Sequence, residues 1–178
     1  MYSITKNDNY KKLAYSSANF TINHQNKDGS WVYGNRDHHQ WIDNFHTGFI
    51  LVSLKDIQKY LSTKLWSQEI ESGFLYHQEN HFLHDMTPKF YNNKKYPLDI
   101  HNFAQGIITF LNIGHKKKAE QILSLAIDLM WDKNEKYFYY QRTRFYKNKI
   151  NYIRWSQAWM FRALTDYYYE DMNENTQN

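Results

Sequence analysis

The chain has no cysteine, only two prolines and only six glycines in 178 residues. Without cysteine there is no disulfide, no thiolate nucleophile and no zinc site built on sulfur. Scarce proline leaves long stretches free to run as uninterrupted helix. Long hydrophobic runs are missing too. The longest strongly apolar stretch, residues 48–54, is far too short to span a bilayer, and residues 1–12 hold no apolar core of a secretory signal. The expectation is a cytoplasmic protein that does not cross a membrane. Charge of one sign is not in large excess: the net charge of +4 is too small to select nucleic acid, and no nucleic-acid motif accompanies it. There is no glycine-rich phosphate loop, no serine elbow and no paired-acid cluster. Nothing in the residues asks for a cofactor.

Aromatic residues are plentiful, at 19 %, and the apolar fraction of 42 % against 22 % charged residues argues for a folded chain. A length of 178 residues suits one domain spanning 1–178, able to bury about two thirds of its unfolded surface. Residues 171–178, polar and uncapped, are expected to form a disordered tail.

A unit recurs at a little over about fifty residues, the length of one helical hairpin in repeat architectures. Residues 45–48 (FHTG), 103–106 (FAQG) and 155–158 (WSQA) each open an apolar stretch. The small residue in fourth place suits a helix that must approach a neighbour closely. A second echo, residues 89–94 (KFYNNK) and 144–149 (RFYKNK), reads as an aromatic strand followed by an Asn suited to the left-handed position of a tight hairpin.

The stretches starting near Asp43, Leu98 and Ile153 are apolar on most of their circumference, so they read as inner helices. Between them lie segments with one wet stripe. In residues 115–131, Lys117, Gln121, Ser124 and Asp128 share a face, with Ile122, Leu123, Ala126 and Met130 opposite. Residues 8–24 and 64–80 read likewise as outer helices. The predicted fold is all-α: three α-hairpins, with short β-hairpins in the loops before the inner helices.

Residues 25–31 (QNKDGSW) resemble a loop motif of the α/α-toroid proteins, in which a glutamine, a glycine and a tryptophan tie one helix end to the next helix. Residues 42–48 (IDNFHTG), 96–105 (YPLDIHNFAQ) and 154–159 (RWSQAW) resemble, in that order, a toroid family associated with polysaccharide biosynthesis. That family is akin to the six-hairpin glycosidases and to the helical domain of glucuronyl epimerases. The resemblance implies an arc that is half of an α/α toroid, since six hairpins close a ring and this chain supplies three. The chain then corresponds to the C-terminal half of the family pattern, as an open arc, a shortened homologue or a truncated reading frame. Exposed flanks on the terminal hairpins would favour homo-oligomers.

On that resemblance, the leading ends of the inner helices line a central hollow. The residues it places there are Trp31, Tyr33, Asp43, His46, Asp99, His101, Gln105, Arg154, Trp155 and Gln157. Their functional reading is a polar, aromatic groove for sugar hydroxyls and ring faces. Their structural reading is equally concrete. Asp43 and Asp99 suit helix N-caps, His46 and His101 suit buried partnered positions, and Gln105 and Gln157 suit inter-helix hydrogen bonds. In residues 136–154, Arg142, Arg144, Arg154 and three lysines alternate with aromatic rings and no acid intervenes after Glu135. That pattern reads either as a solvated hairpin or as a surface for carboxylates, sulfates or phosphates on a polymer.

The functional expectation is a carbohydrate-active protein that binds or modifies an acidic polysaccharide. His46 or His101 would transfer the proton, and Arg142, Arg144 and Arg154 would neutralise a uronate carboxylate. As an enzyme it would act in glycosidase-, lyase- or epimerase-like fashion. The alternatives are a non-catalytic polysaccharide-binding module and a scaffold without activity. His77, His81 and His84 are spaced along one helix face, but the motif is not that of a zinc protease, and a surface histidine cluster is the expectation.

Overall fold

The computed structural model describes residues 1–176, which are mostly helical with a few short antiparallel strands. The helices are α1 (Tyr2–Thr5), α2 (Asp8–Asn23), α3 (Asn44–Leu61), α4 (Ser67–His81), α5 (Ile100–Asn112), α6 (Lys116–Met130) and α7 (Ala158–Asn175). A stretch of π-helix, Ile153–Gln157, leads into α7, and a 3-10 turn covers Asp37–His39. The strands are β1 (Leu98–Asp99), β2 (Trp131–Asp132), β3 (Tyr137–Phe138), β4 (Gln141–Arg142) and β5 (Lys147–Asn148). The fold class is all-α, as the periodicity predicts.

Side-chain caps start α2, α3 and α5. Asn7 accepts from the Asn9 amide, Asp43 from the His46 amide and Asp99 from the His101 amide, each satisfying a donor that the first turn leaves open. Ser62 ends α3 in the left-handed conformation.

Helix α5 is the centre of the molecule. Every residue from Ile100 to Phe110 is buried, and the helix touches α3, α6 and α7. No charged side chain interrupts that run, so all its faces can lie against apolar neighbours. Burying Phe103, Ile107 and Phe110 completely contributes about 1.5–3 kcal/mol each before entropy is counted. Helix α3 lies on one side of α5 and α7 on the other, while α2 and α4 pack on α3 and α6 packs on α5.

The row α3, α5, α7 runs in one direction. At the leading ends, Phe45 stacks on His101 at 4.5 Å and His101 meets Trp159 at 4.9 Å. At the trailing ends, Asn112 Nδ2 donates to Asp56 Oδ1 at 3.2 Å, and one cleft is lined by Asp56, Asn112 and Asp166 together. The predicted wet stripe of α6 is exposed, and Ile122, Ala126 and Met130 face the core.

Residues 25–31 knot α2 to α4. Gln25 Nε2 donates to the carbonyls of Gly29 and Glu69, and Trp31 Nε1 donates to Thr21 O. Gly29, at φ +91°, lies against Ser72 O, and Gly73 leaves the space that the Trp31 indole occupies. A second knot centres on Asn44, whose amide donates to His81 O and Lys89 O while its Oδ1 faces His77 Nε2 at 2.9 Å. Asn102 reaches the same Lys89 carbonyl at 3.2 Å.

Five expectations are corrected. Residues 89–94 form a tight turn closed by the Phe90 and Tyr91 amides on Lys94 O, with single bridges instead of a ladder. The later hairpin pairs Gln141 with Asn148 and Arg142 with Lys147, and β4 also pairs with β1, aligning Leu98 with Arg142 and Asp99 with Gln141. Asn92, Asn93 and Asn148 are not left-handed. Thr143 Oγ1 closes the second turn instead, accepting from the Phe145 and Tyr146 amides.

His77 and His81 are not on the surface. Both are fully buried because that face of α4 lies against α3 and the segment entering the Lys89 turn; of the three, only His84, past the helix end, is exposed. The expected tail at 171–178 is helical through Asn175, with the Lys116–Asp171 ion pair, 2.8 Å long, tying it to the start of α6. Residues 177 and 178 lie outside the described residues. Helix α7 is apolar on most sides but not buried on most sides: Phe161, Leu164, Tyr168 and Met172 are exposed, since α5 covers only its inner face. Among the described residues, no helix is long and apolar enough to cross a membrane.

Candidate functional site

The leading ends of α3, α5 and α7 gather a belt of rings. Tyr33 N donates to Trp41 O at 2.8 Å, so the loop containing the 3-10 turn folds back and sets both rings over the start of α3. Trp41 stacks on Tyr33 at 4.7 Å with 20° between planes, and Tyr33 meets His46 edge-on at 4.7 Å. The series continues through Phe45 to His101, and from His101 to Trp159 and Trp155, the latter at 5.9 Å. Tyr33, Trp41 and Trp155 remain exposed, so their faces are available to a ligand. A cavity of about 250 Å³ opens beside His46, walled by Trp31, Tyr33, Asp43, Thr47 and Phe49.

Asp43 does two things at once. Oδ1 caps α3 through the His46 amide at 2.9 Å, and Oδ2 holds His46 Nδ1 at 2.8 Å. A carboxylate only accepts, so Nδ1 carries a hydrogen, and in the neutral ring Nε2 is the nitrogen with the lone pair. Asp43 is 5 % exposed and the His46 side chain 39 %, which gives a buried anchor behind a half-open imidazole. This is the arrangement of a base held by an orienting acid.

His101 is different. It is buried between Phe45 and Trp159, and burial, with His46 nearby, lowers its pKa to about 4 against the opposing pull of Asp43. It is a neutral ring near neutral pH. Burial raises the Asp99 pKa, while hydrogen bonds from Gln141 Nε2 and the His101 amide pull it down.

Of the remaining sequence-selected residues, several are occupied structurally. Trp31 is buried in the α2–α4 knot. Gln105 Nε2 donates to Thr109 Oγ1 within the α3–α5 contact, and Gln157 bonds both backbone groups of Phe138, tying the π turn to β3. Along β4, Gln141 turns towards Asp99 while Arg142 turns the other way, its Nη1 donating to Leu129 O at 3.1 Å. Arg142 and Arg144 therefore line a separate cavity and are not brought to His46. Arg154 is exposed on the π turn beside Trp155. Sequence reading missed His39, Trp41, Phe45, Phe49 and Trp159. Trp41 stands two residues ahead of the Asp43 cap and Trp159 one turn beyond Trp155, and those offsets were the available signal.

A cleft of about 920 Å³ lies at the trailing ends. It exists because α5 has 13 residues and its neighbours 18 each, leaving the middle helix about 7 Å short. Its groups largely answer one another, Asp56 to Asn112 and Arg162 to Asp166, and it gathers no ring belt.

The chain matches no protein-family model and no curated protein. Functional assignment therefore starts from the belt itself.

Proposed function

We propose that the leading ends of α3, α5 and α7 form a saccharide-binding groove and that the chain acts on an acidic polysaccharide. The observation that carries this reading is the Asp43-anchored His46 set in a run of exposed aromatic rings. Tyr33, Trp41 and Trp155 offer flat faces for sugar rings. Arg154 is the cation placed to meet a uronate carboxylate, and His46 Nε2 takes the proton from the carbon next to that carboxylate, as elimination or epimerisation requires. The co-directional inner row supports the reading of the fold as an arc equivalent to half of an α/α toroid. The exposed stripe of α7 supports homo-oligomers, and a clean monomer in light scattering at high concentration would count against them.

One observation favours a second reading. His101, the other candidate for proton transfer, is buried, so of the two histidines expected to move a proton only His46 is accessible. A non-catalytic polysaccharide-binding module would need only the rings and Arg154. Titrating uronate-containing oligosaccharides against wild type, Trp155→Ala and His46→Ala separates the readings. Binding lost in Trp155→Ala, with turnover lost and binding kept in His46→Ala, supports the enzyme. Binding without turnover in wild type supports the module, and no binding in wild type removes both.

A further inference from the structure

On the opposite face of the β1–β4 pair from Asp99 lies a cavity of about 280 Å³, bounded by β4, the turn after it, the loop after α4 and the outer side of α6. Its floor is apolar: Leu98, Leu125 and Leu129, with the Tyr96 ring at one side. Its rim is cationic: Lys95, Arg142 and Arg144. Asp85 is the lone acid in the lining, and one of its oxygens already accepts the Thr87 amide at 2.9 Å.

The cations are placed, not merely present. Arg142 spends one of its five donors on Leu129 O, the carbonyl end of α6, which fixes the guanidinium and leaves the other donors free. Lys95 lies over the Tyr96 ring at 5.3 Å. Among the described residues neither Arg142 nor Arg144 has a carboxylate within ion-pair distance. Asp85 offsets part of the Lys95 charge, while Arg142 and Arg144 share the rim without an acid of their own, and a ligand anion relieves the repulsion that remains.

We infer that this cavity is a binding site for a small organic anion, a carboxylate or phosphate monoester whose apolar body rests on Leu98, Leu125 and Leu129 while its charge meets Lys95, Arg142 and Arg144. The volume sits at the lower end of small-molecule sites and admits a body about the size of one six-membered ring. Guanidinium forks suit either head group. The site shares no lining residue with the groove at His46, so it stands or falls independently of the proposed function.

Calorimetric titration of the full chain with benzoate, phenyl phosphate and inorganic phosphate tests it. The expected result is saturable binding of benzoate, phenyl phosphate or both, weakened about tenfold or more in Lys95→Ala and in Arg144→Ala. Arg144 is exposed on a turn and Lys95 is half-buried, so both variants keep the fold, which circular dichroism checks. Whichever probe binds more tightly names the head group. Inorganic phosphate binding as tightly as phenyl phosphate would overturn the apolar floor. No binding in wild type, or binding unchanged in both variants, would overturn the site, and binding lost in His46→Ala would move the ligand to the other groove.

Discussion

Gly48 of α3 stands directly against Gln105 of α5: a methyl group built on Gly48 would lie 2.6 Å from Gln105 Cγ and 2.8 Å from Thr109 Oγ1. Gln105 is fully buried and its amide is engaged with Thr109, so it has nowhere to retreat. The inner row owes its closeness to this glycine.

Gly48→Ala sets two effects against each other. Alanine gains up to about 1 kcal/mol of helix propensity, and overpacking costs about 1–3 kcal/mol. Contact at 2.6 Å with a side chain that cannot move lets overpacking win, so a net loss of about 1–2 kcal/mol is expected in urea unfolding. An unchanged midpoint would refute the tight α3–α5 contact.

Acid should unfold the protein early. Burial lowers His81 and His101 to about 4, and holds His77 well below its usual value too, from an unfolded value of about 6.5. The unfolded chain therefore binds protons that the fold refuses. Stability is fully present above about pH 6.5 and falls as pH drops towards about 4, by about 3 kcal/mol for each of His81 and His101. Asp99, easier to protonate in the fold, works in the opposite sense only at the acid end. Equal urea midpoints at about pH 7 and about pH 5 would contradict this.

Asn44→Ala removes three hydrogen bonds, to His77 Nε2, His81 O and Lys89 O, each of which keeps a second partner in the Asn44 carbonyl, the Lys89 amide and Asn102 Nδ2 respectively. Each lost bond is worth about 0.5–1.5 kcal/mol net, so a loss of about 2–4 kcal/mol is expected. Asn80→Ala, which removes a bond within one helix turn at a half-buried position, should cost under about 1 kcal/mol in the same assay.

Asp43→Asn keeps the cap, because asparagine caps as well as aspartate. An amide nitrogen placed at the former Oδ2 donates, so His46 Nδ1 must accept and the hydrogen moves to Nε2. Nitrogen-15 spectra of the imidazole should show that exchange of tautomers, together with thermal stability changed by under about 1 kcal/mol. The wild-type tautomer persisting in the variant would show that Asp43 does not orient the ring.

Much of the framework was legible locally. Helix boundaries near Asp43 and Leu98 follow from the Asp43 and Asp99 caps, and those near Asp8 and Lys116 from the change between one-sided and all-round apolar patterns, both readable within a few turns. The side-by-side inner row followed from the repeated Phe-x-x-Gly and its kin. The turns were less legible: a threonine hydroxyl closed the one at 143–146, where the pattern pointed to asparagine.

The residue pattern alone decided that the chain forms helices, that α5 has no polar face to leave wet while α6 has one, and where Asp43 and Asp99 begin helices, because those outcomes depend on neighbours three or four positions away. Only the tertiary structure decided that His77, His81 and His101 are buried, that Tyr33 and Trp41 fold back onto His46, and that Arg142 turns away from it. Burial and facing are properties of contacts between segments tens of residues apart. An imidazole or guanidinium reads the same in a sequence whether water or a phenyl ring stands beside it.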